Sequence, residues 1–157
     1  MTNGSERMDY EELLRESDRR GLSVKEKDIP GFGGLIWQNR IAIRKDIPTL
    51  REKSCILAEE IGHAATTSGD ILADGPLSRK QELAARMYGY NLKIGLRGIV
   101  EAYEAGCRSR YEAAEYLDCT EEYLCEAMKA YKGKYGLWAA YDGYLVCFDP
   151  PAVLRMM

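Results

Sequence analysis

The sequence predicts an α+β fold: a helical core with a small antiparallel sheet, then a helix-turn-helix-like segment, then a C-terminal β-hairpin. Three observations predict it. Two stretches, 49–67 and 78–94, repeat apolar residues every three or four positions behind Thr and Ser starts. Short apolar runs, Leu35-Ile36-Trp37 with Arg40-Ile41-Ala42-Ile43 and 137–141 with 144–148, are separated by two-residue turns. Between these regions, residues 98–132 break into shorter helical patterns. A chain of 157 residues has room for one domain, with sections at 1–95 (core), 96–134 (helix-turn-helix-like) and 135–157 (hairpin and tail).

Each element has a local reason. Residues 1–7 read as a frayed start. Residues 8–20 set Met8, Tyr10, Leu13 and Leu14 among charges, an amphipathic helix stopped by Gly21. Leu22-Ser23-Val24-Lys25-Glu26 alternates as a half-buried strand does, and Pro30-Gly31-Phe32-Gly33-Gly34 is a turn. Gln38-Asn39 joins the first hairpin, although it is a weaker turn signal than Asn-Gly. Thr49-x-x-Glu52 is a capping-box pattern for a helix that Ser68-Gly69-Asp70 should end. Ser78-x-x-Gln81 opens the next helix, which Gly95 closes; helices at about 98–105, 109–116 and 120–132 follow. Asp142-Gly143 between two apolar-aromatic runs predicts the last hairpin.

Composition narrows the function classes. Apolar content of 46% with 30% charged residues excludes a disordered chain. No apolar run approaches the ~20 residues of a bilayer span, and the polar start lacks a signal-peptide core, so a cytoplasmic location is expected. The five cysteines are scattered and without a C-x-x-C pair, which predicts reduced, mostly buried thiols and no thiolate zinc site. A net charge of −3 argues against nucleic-acid binding by the whole surface. Most of the 11 tyrosines fit helix stripes and are expected to pack.

The stretch Leu57-Ala58-Glu59-Glu60-Ile61-Gly62-His63 carries the chemistry. Leu50, Leu57, Ile61 and Ala64 fall on one helix face, the expected core stripe; Glu59, Glu60 and His63 fall on another. Positions 59 and 63 lie one turn apart and can converge on one ion, with Glu60 placed between them to accept a proton from water. His63 is the only histidine, so a metal site must be completed by carboxylates. Two glutamates and a histidine on one helix face are also a common solvated pattern. Three features favour a site: the apolar setting, Gly62 inside the helix, and a helix bearing another acid. Gly62 costs roughly 1 kcal/mol relative to alanine, which close approach of another backbone would explain. On the second helix, Leu83, Met87, Tyr90 and Ile94 form the expected apolar stripe. Glu82, Ala85 and Gly89 share the adjoining face, so close packing would bring Glu82 to Glu59 and His63.

Over residues 8–95 the sequence resembles the ImmA/IrrE family of metallopeptidases, which phages and integrative elements often encode beside a repressor. The resemblance rests on the helix, extended stretch and Ile-rich hairpin that precede Leu57-Ala58-x-Glu60-Ile61-Gly62-His63, similar to the family's L-A-H-E-L-G-H. It rests also on Glu82, Ala85, Tyr88 and Gly89, similar to its E-x-x-A-x-x-aromatic-small helix. It implies a zincin-like core, with Glu59 in place of the first zinc histidine, Glu60 as general base, and His63 and Glu82 as the other metal ligands. The Glu-Glu-x-x-His departure leaves a donor set that still suits Zn²⁺, with one more negative charge, and that admits Mn²⁺ more readily. Two adjacent acids should raise one carboxylate pKa when no cation is present.

Residues 111–124 resemble a helix-turn-helix, with Thr120 capping a helix whose Tyr123, Leu124, Ala127 and Tyr131 point inward. Its acids (Glu112, Glu115, Asp118, Glu121, Glu122, Glu126) outnumber Arg110 and Lys129, so phosphate repulsion argues against groove insertion. A structural or protein-docking role is expected. Two functions follow: a metal-dependent endopeptidase of a phage or mobile element acting on a transcriptional repressor, or an inactive member that binds the repressor as an anti-repressor module.

Overall fold

In the computed structural model, which describes residues 7–67 and 78–156, Asp9 opens the first helix by accepting from the Glu12 amide. This helix, α1 (Tyr10–Arg19), buries Leu13 fully and ends before Gly21, whose φ of +73° turns the chain. Three strands follow: β1 (Ser23–Lys27), β2 (Gly34–Trp37) and β3 (Arg40–Arg44), in the order β1-β3-β2. β2 and β3 form the expected antiparallel hairpin, with Trp37 opposite Arg40, but β1 lies parallel to β3. The sheet is therefore mixed, not antiparallel. β1 keeps four of its five residues exposed, which suits an edge, while Ile41 and Ile43 of the central strand are buried.

Thr49 caps α2 (Leu50–Thr66) through the Glu52 amide, and Ser78 and Gln81 form a complete capping box on α3 (Arg79–Lys93). The expected frayed start and the Ser68-Gly69-Asp70 stop fall largely outside the described residues. Leu57, Ala58 and Ile61 form the buried stripe of α2, but Leu50 is 63% exposed. Leu83 is likewise 55% exposed on α3. Leu50 is the first residue of α2 and Leu83 lies early in α3.

The two helices touch backbone to backbone. A Cβ on Gly62 would land on the Ala85 carbonyl oxygen, and one on Gly89 would lie 2.8 Å from the Ala58 carbonyl oxygen. The small residues at these positions set how near the facing side chains come.

The chain turns directly into α4 (Gly95–Glu104), earlier than the expected start near 98, because Gly95 reverses direction in one residue at φ +65°. Then come α5 (Arg110–Leu117), a left-handed Asp118, and α6 (Glu121–Tyr135) capped by Thr120. Tyr123, Leu124, Ala127 and Tyr131 are buried, and the turn docks on α2 through Ser54 Oγ donating to the Asp118 carbonyl at 3.3 Å. The tail holds β4 (Trp138–Tyr141), β5 (Tyr144–Phe148) and β6 (Pro151–Arg155) as an antiparallel meander, one strand more than expected. Proline at the first position of an edge strand owes no ladder donor, so Pro151 does not forbid β6. Asp142 and Gly143 both take positive φ, as a type I′ hairpin turn requires.

One apolar cluster (Tyr10, Leu13, Ile41, Ile43, Leu57, Ala58, Ile61) joins the first sheet to α1 and α2. The larger one draws Cys55, Tyr90, Ile94, Val100, Tyr123, Tyr131, Val146 and Phe148 from all three sections. Of the five free cysteines only Cys55 and Cys119 are buried, fewer than expected, and Tyr111 is 62% exposed. Among the described residues, no helix is long and apolar enough to cross a membrane.

Candidate metal centre

The close crossing of α2 and α3 determines the site. Glu59 and His63, one turn apart on α2, meet Glu82 from the first turn of α3, and the three can each offer a donor atom within 4.8 Å of the others. His63 Nε2 lies 3.6 Å from Glu82 Oε1. Tetrahedral bonds of about 2.0–2.2 Å place ligand atoms roughly 3.3–3.6 Å apart, so this pair already stands at a metal-ligand spacing. An imidazole with two carboxylates is a donor set that suits Zn²⁺ or Mn²⁺. The group could hold a divalent ion.

Glu60, next to Glu59 on α2, packs against β2 and is 8% exposed. Gly33 and Gly34 let the strand approach: a Cβ on Gly34 would sit 3.1 Å from Glu60 Cγ and nearer still to Ile56. Glu60 Oε2 is buried without a hydrogen-bond partner. Burial above all, with Glu59 and Glu82 adding repulsion, pushes the Glu60 carboxyl up to about 8. A buried carboxyl with an unused oxygen, beside a group of metal-binding donors, is arranged to exchange a proton.

Glu59 is the most open of the acids, its side chain 41% exposed. Its surroundings still raise its carboxyl above the usual range, by burial first, while Arg86 and His63 pull it back. Arg86 Nε lies 3.3 Å from Glu82 Oε1 and 3.6 Å from Glu59 Oε1, an exposed cation shared by both carboxylates. Beyond it a small cavity of about 100 Å³ is lined by Glu59, Arg86, Tyr90, Tyr123 and Glu126. Tyr123 Oη, also buried without a partner, belongs to this wall, with the Tyr90 ring edge-on at 5.1 Å.

The residues named from sequence thus fall as three donors around one point, with the Glu60 carboxyl buried next to them against β2. Sequence reasoning missed Arg86, Gly34 and Tyr123. The i,i+4 spacing of Glu82 and Arg86 was a readable signal for the first; the other two depend on long-range packing that no local pattern carries. Comparison with protein-family models, curated proteins and solved structures found no match.

Proposed function

We propose that the chain is a metal-dependent endopeptidase-like protein of a phage or mobile element, acting on a helix-turn-helix transcriptional repressor. The observation that carries this reading is the unpartnered, buried oxygen of Glu60 beside the Glu59, His63 and Glu82 donors. Those three residues would hold the ion, Zn²⁺ by preference and Mn²⁺ as the alternative. The ion supplies Lewis acidity when bound. Glu60 accepts a proton from the attacking water and returns it to the leaving amine. β2 lies at the sheet edge above α2, where an extended substrate segment can pair with it as an added strand.

The test is incubation of the metal-loaded protein with a helix-turn-helix repressor encoded beside it. Cleavage that falls by roughly 10²–10⁴-fold in Glu60→Gln, with unchanged metal content, supports the reading. Equal activity in the variant would sink it.

A second reading has its own observation. Arg86 already neutralises part of the Glu59 and Glu82 charge, so the fold has an internal counter-ion when no metal is bound. On this reading the chain is an inactive member that captures the repressor without cutting it. Repressor binding would then persist in Glu60→Gln and after chelation, with no cleavage products.

A further inference from the structure

The opposite face of α6 lines a groove of about 820 Å³ that opens to solvent and shares no residue with the metal centre. Its floor is apolar: Ile99 from α4, Ala113 from α5, Met128 from α6 and Val153 from β6, all partly exposed, over buried Leu124 and Phe148. Its charged lining is one-sided. Arg108, Arg110, Lys129 and Lys132 stand against one carboxylate, Asp149, in a chain whose net charge is −3.

The existing partners of these cations are weak or absent. Arg110 reaches Glu121 at 3.3 Å with both side chains exposed, Lys132 pairs with Asp149 at 2.7 Å, and Lys129 has no ion pair among the described residues. Arg108 donates to the Tyr103 and Cys107 carbonyl oxygens. Exposed pairs of this kind add little to stability, so exchanging them for a ligand's carboxylates costs little.

The spacing of cations selects the ligand class. A single-headed amphiphile such as a fatty acid needs one cationic end on an otherwise apolar channel. Here cations come from both the start of α5 and the middle of α6, where Leu124, Met128 and Lys132 form one helical row beside Cys125 and Lys129. That mixture matches carboxylates interleaved with apolar side chains. We propose that this groove docks an acidic amphipathic helix of a partner protein. The mode is helix-in-groove, with anchors at i, i+3, i+4 and i+7. It does not depend on metal binding or catalysis.

The experiment is fluorescence anisotropy on the intact chain with a labelled peptide of about 16 residues, Leu at the anchor positions and Glu elsewhere. A matched peptide with Lys in place of Glu and unlabelled dodecanoate are the other probes. The acidic peptide should bind, more weakly as salt rises, and lose at least about tenfold in affinity with Arg110→Glu/Lys129→Glu. Both positions are exposed, and circular dichroism checks that the variant is folded. Methyl resonances of Ile99, Met128 and Val153 should shift on titration. Equal binding of the Lys peptide, an unaffected double variant, shifts mapping elsewhere, or dodecanoate binding without peptide binding would each overturn the proposal.

Discussion

Glu60 is the residue on which the proposed chemistry turns, and its protonation gives a measurable signature in metal-free protein. Its carboxyl titrates near 4.5 when unfolded and near 8 when folded. Between those values the folded state binds more protons, so stability falls as pH rises from about 4.5 to about 8 and levels off above. The loss across that window is on the order of 3–5 kcal/mol. Glu12, Glu16 and Glu26, held low by Arg15, Arg20 and Lys53 respectively, act in the opposite sense, and only below the ordinary carboxylate range. The Glu59 carboxyl, also raised by burial, adds a decline of the same sign. Thermal melts of chelated protein between pH 5 and 8.5 should show the decline, and Glu60→Gln should make it shallower; parallel curves would refute the assignment. At this scale the sequence was informative. Helical spacing put Glu59 and His63 one turn apart on a shared face, and the small residues Ala85 and Gly89 with the family resemblance pointed to Glu82. Arg86 was legible in principle, four residues after Glu82. Burial of Glu60 was not, since it depends on Gly34 arriving from a distant strand.

Among the elements, the α2–α3 crossing is the part most sensitive to change. Gly62→Ala would drive a methyl into the Ala85 carbonyl, and we expect a loss of about 2–4 kcal/mol in denaturant unfolding, with weaker metal binding as Glu82 moves off. Gly133→Ala is the control. It lies within α6 with nothing near its missing Cβ, and should stabilise by about 0.5–1 kcal/mol. Equal effects at the two positions would show that the close approach is not what Gly62 is for. Thr120→Ala should cost about 1 kcal/mol through loss of the α6 cap. Caps, helix faces and two-residue hairpins were readable because their signals are local. The parallel partner of β3 was not, because alternation in β1 specifies a strand without specifying its neighbour. β6 was hidden by Pro151, which is compatible with an edge strand only in the register that the sheet provides.

For the whole molecule, the larger core cluster ties α2 and α3 to α6 and the C-terminal meander, so the sections should unfold together. Removing residues 138–157 strips Val146 and Phe148 from Tyr131 and should destabilise α3 as well, visible as a single lowered melting transition. We propose that the helix-turn-helix-like unit does not insert into a DNA groove. The helix-turn-helix-like unit is docked on α2 at its turn, and its second helix begins with Glu121 and Glu122. Salt-dependent duplex affinity that falls on neutralising Lys129, Lys132 and Lys134 would contradict this. Whether Glu59, His63 and Glu82 form one metal site is read from the metal content of protein purified without chelator, measured by mass spectrometry for the parent chain and for Glu59→Ala, His63→Ala and Glu82→Ala. The account predicts about one equivalent of divalent transition metal in the parent and its loss in each folded variant; a metal-free parent, or metal retained in all three variants, would contradict it.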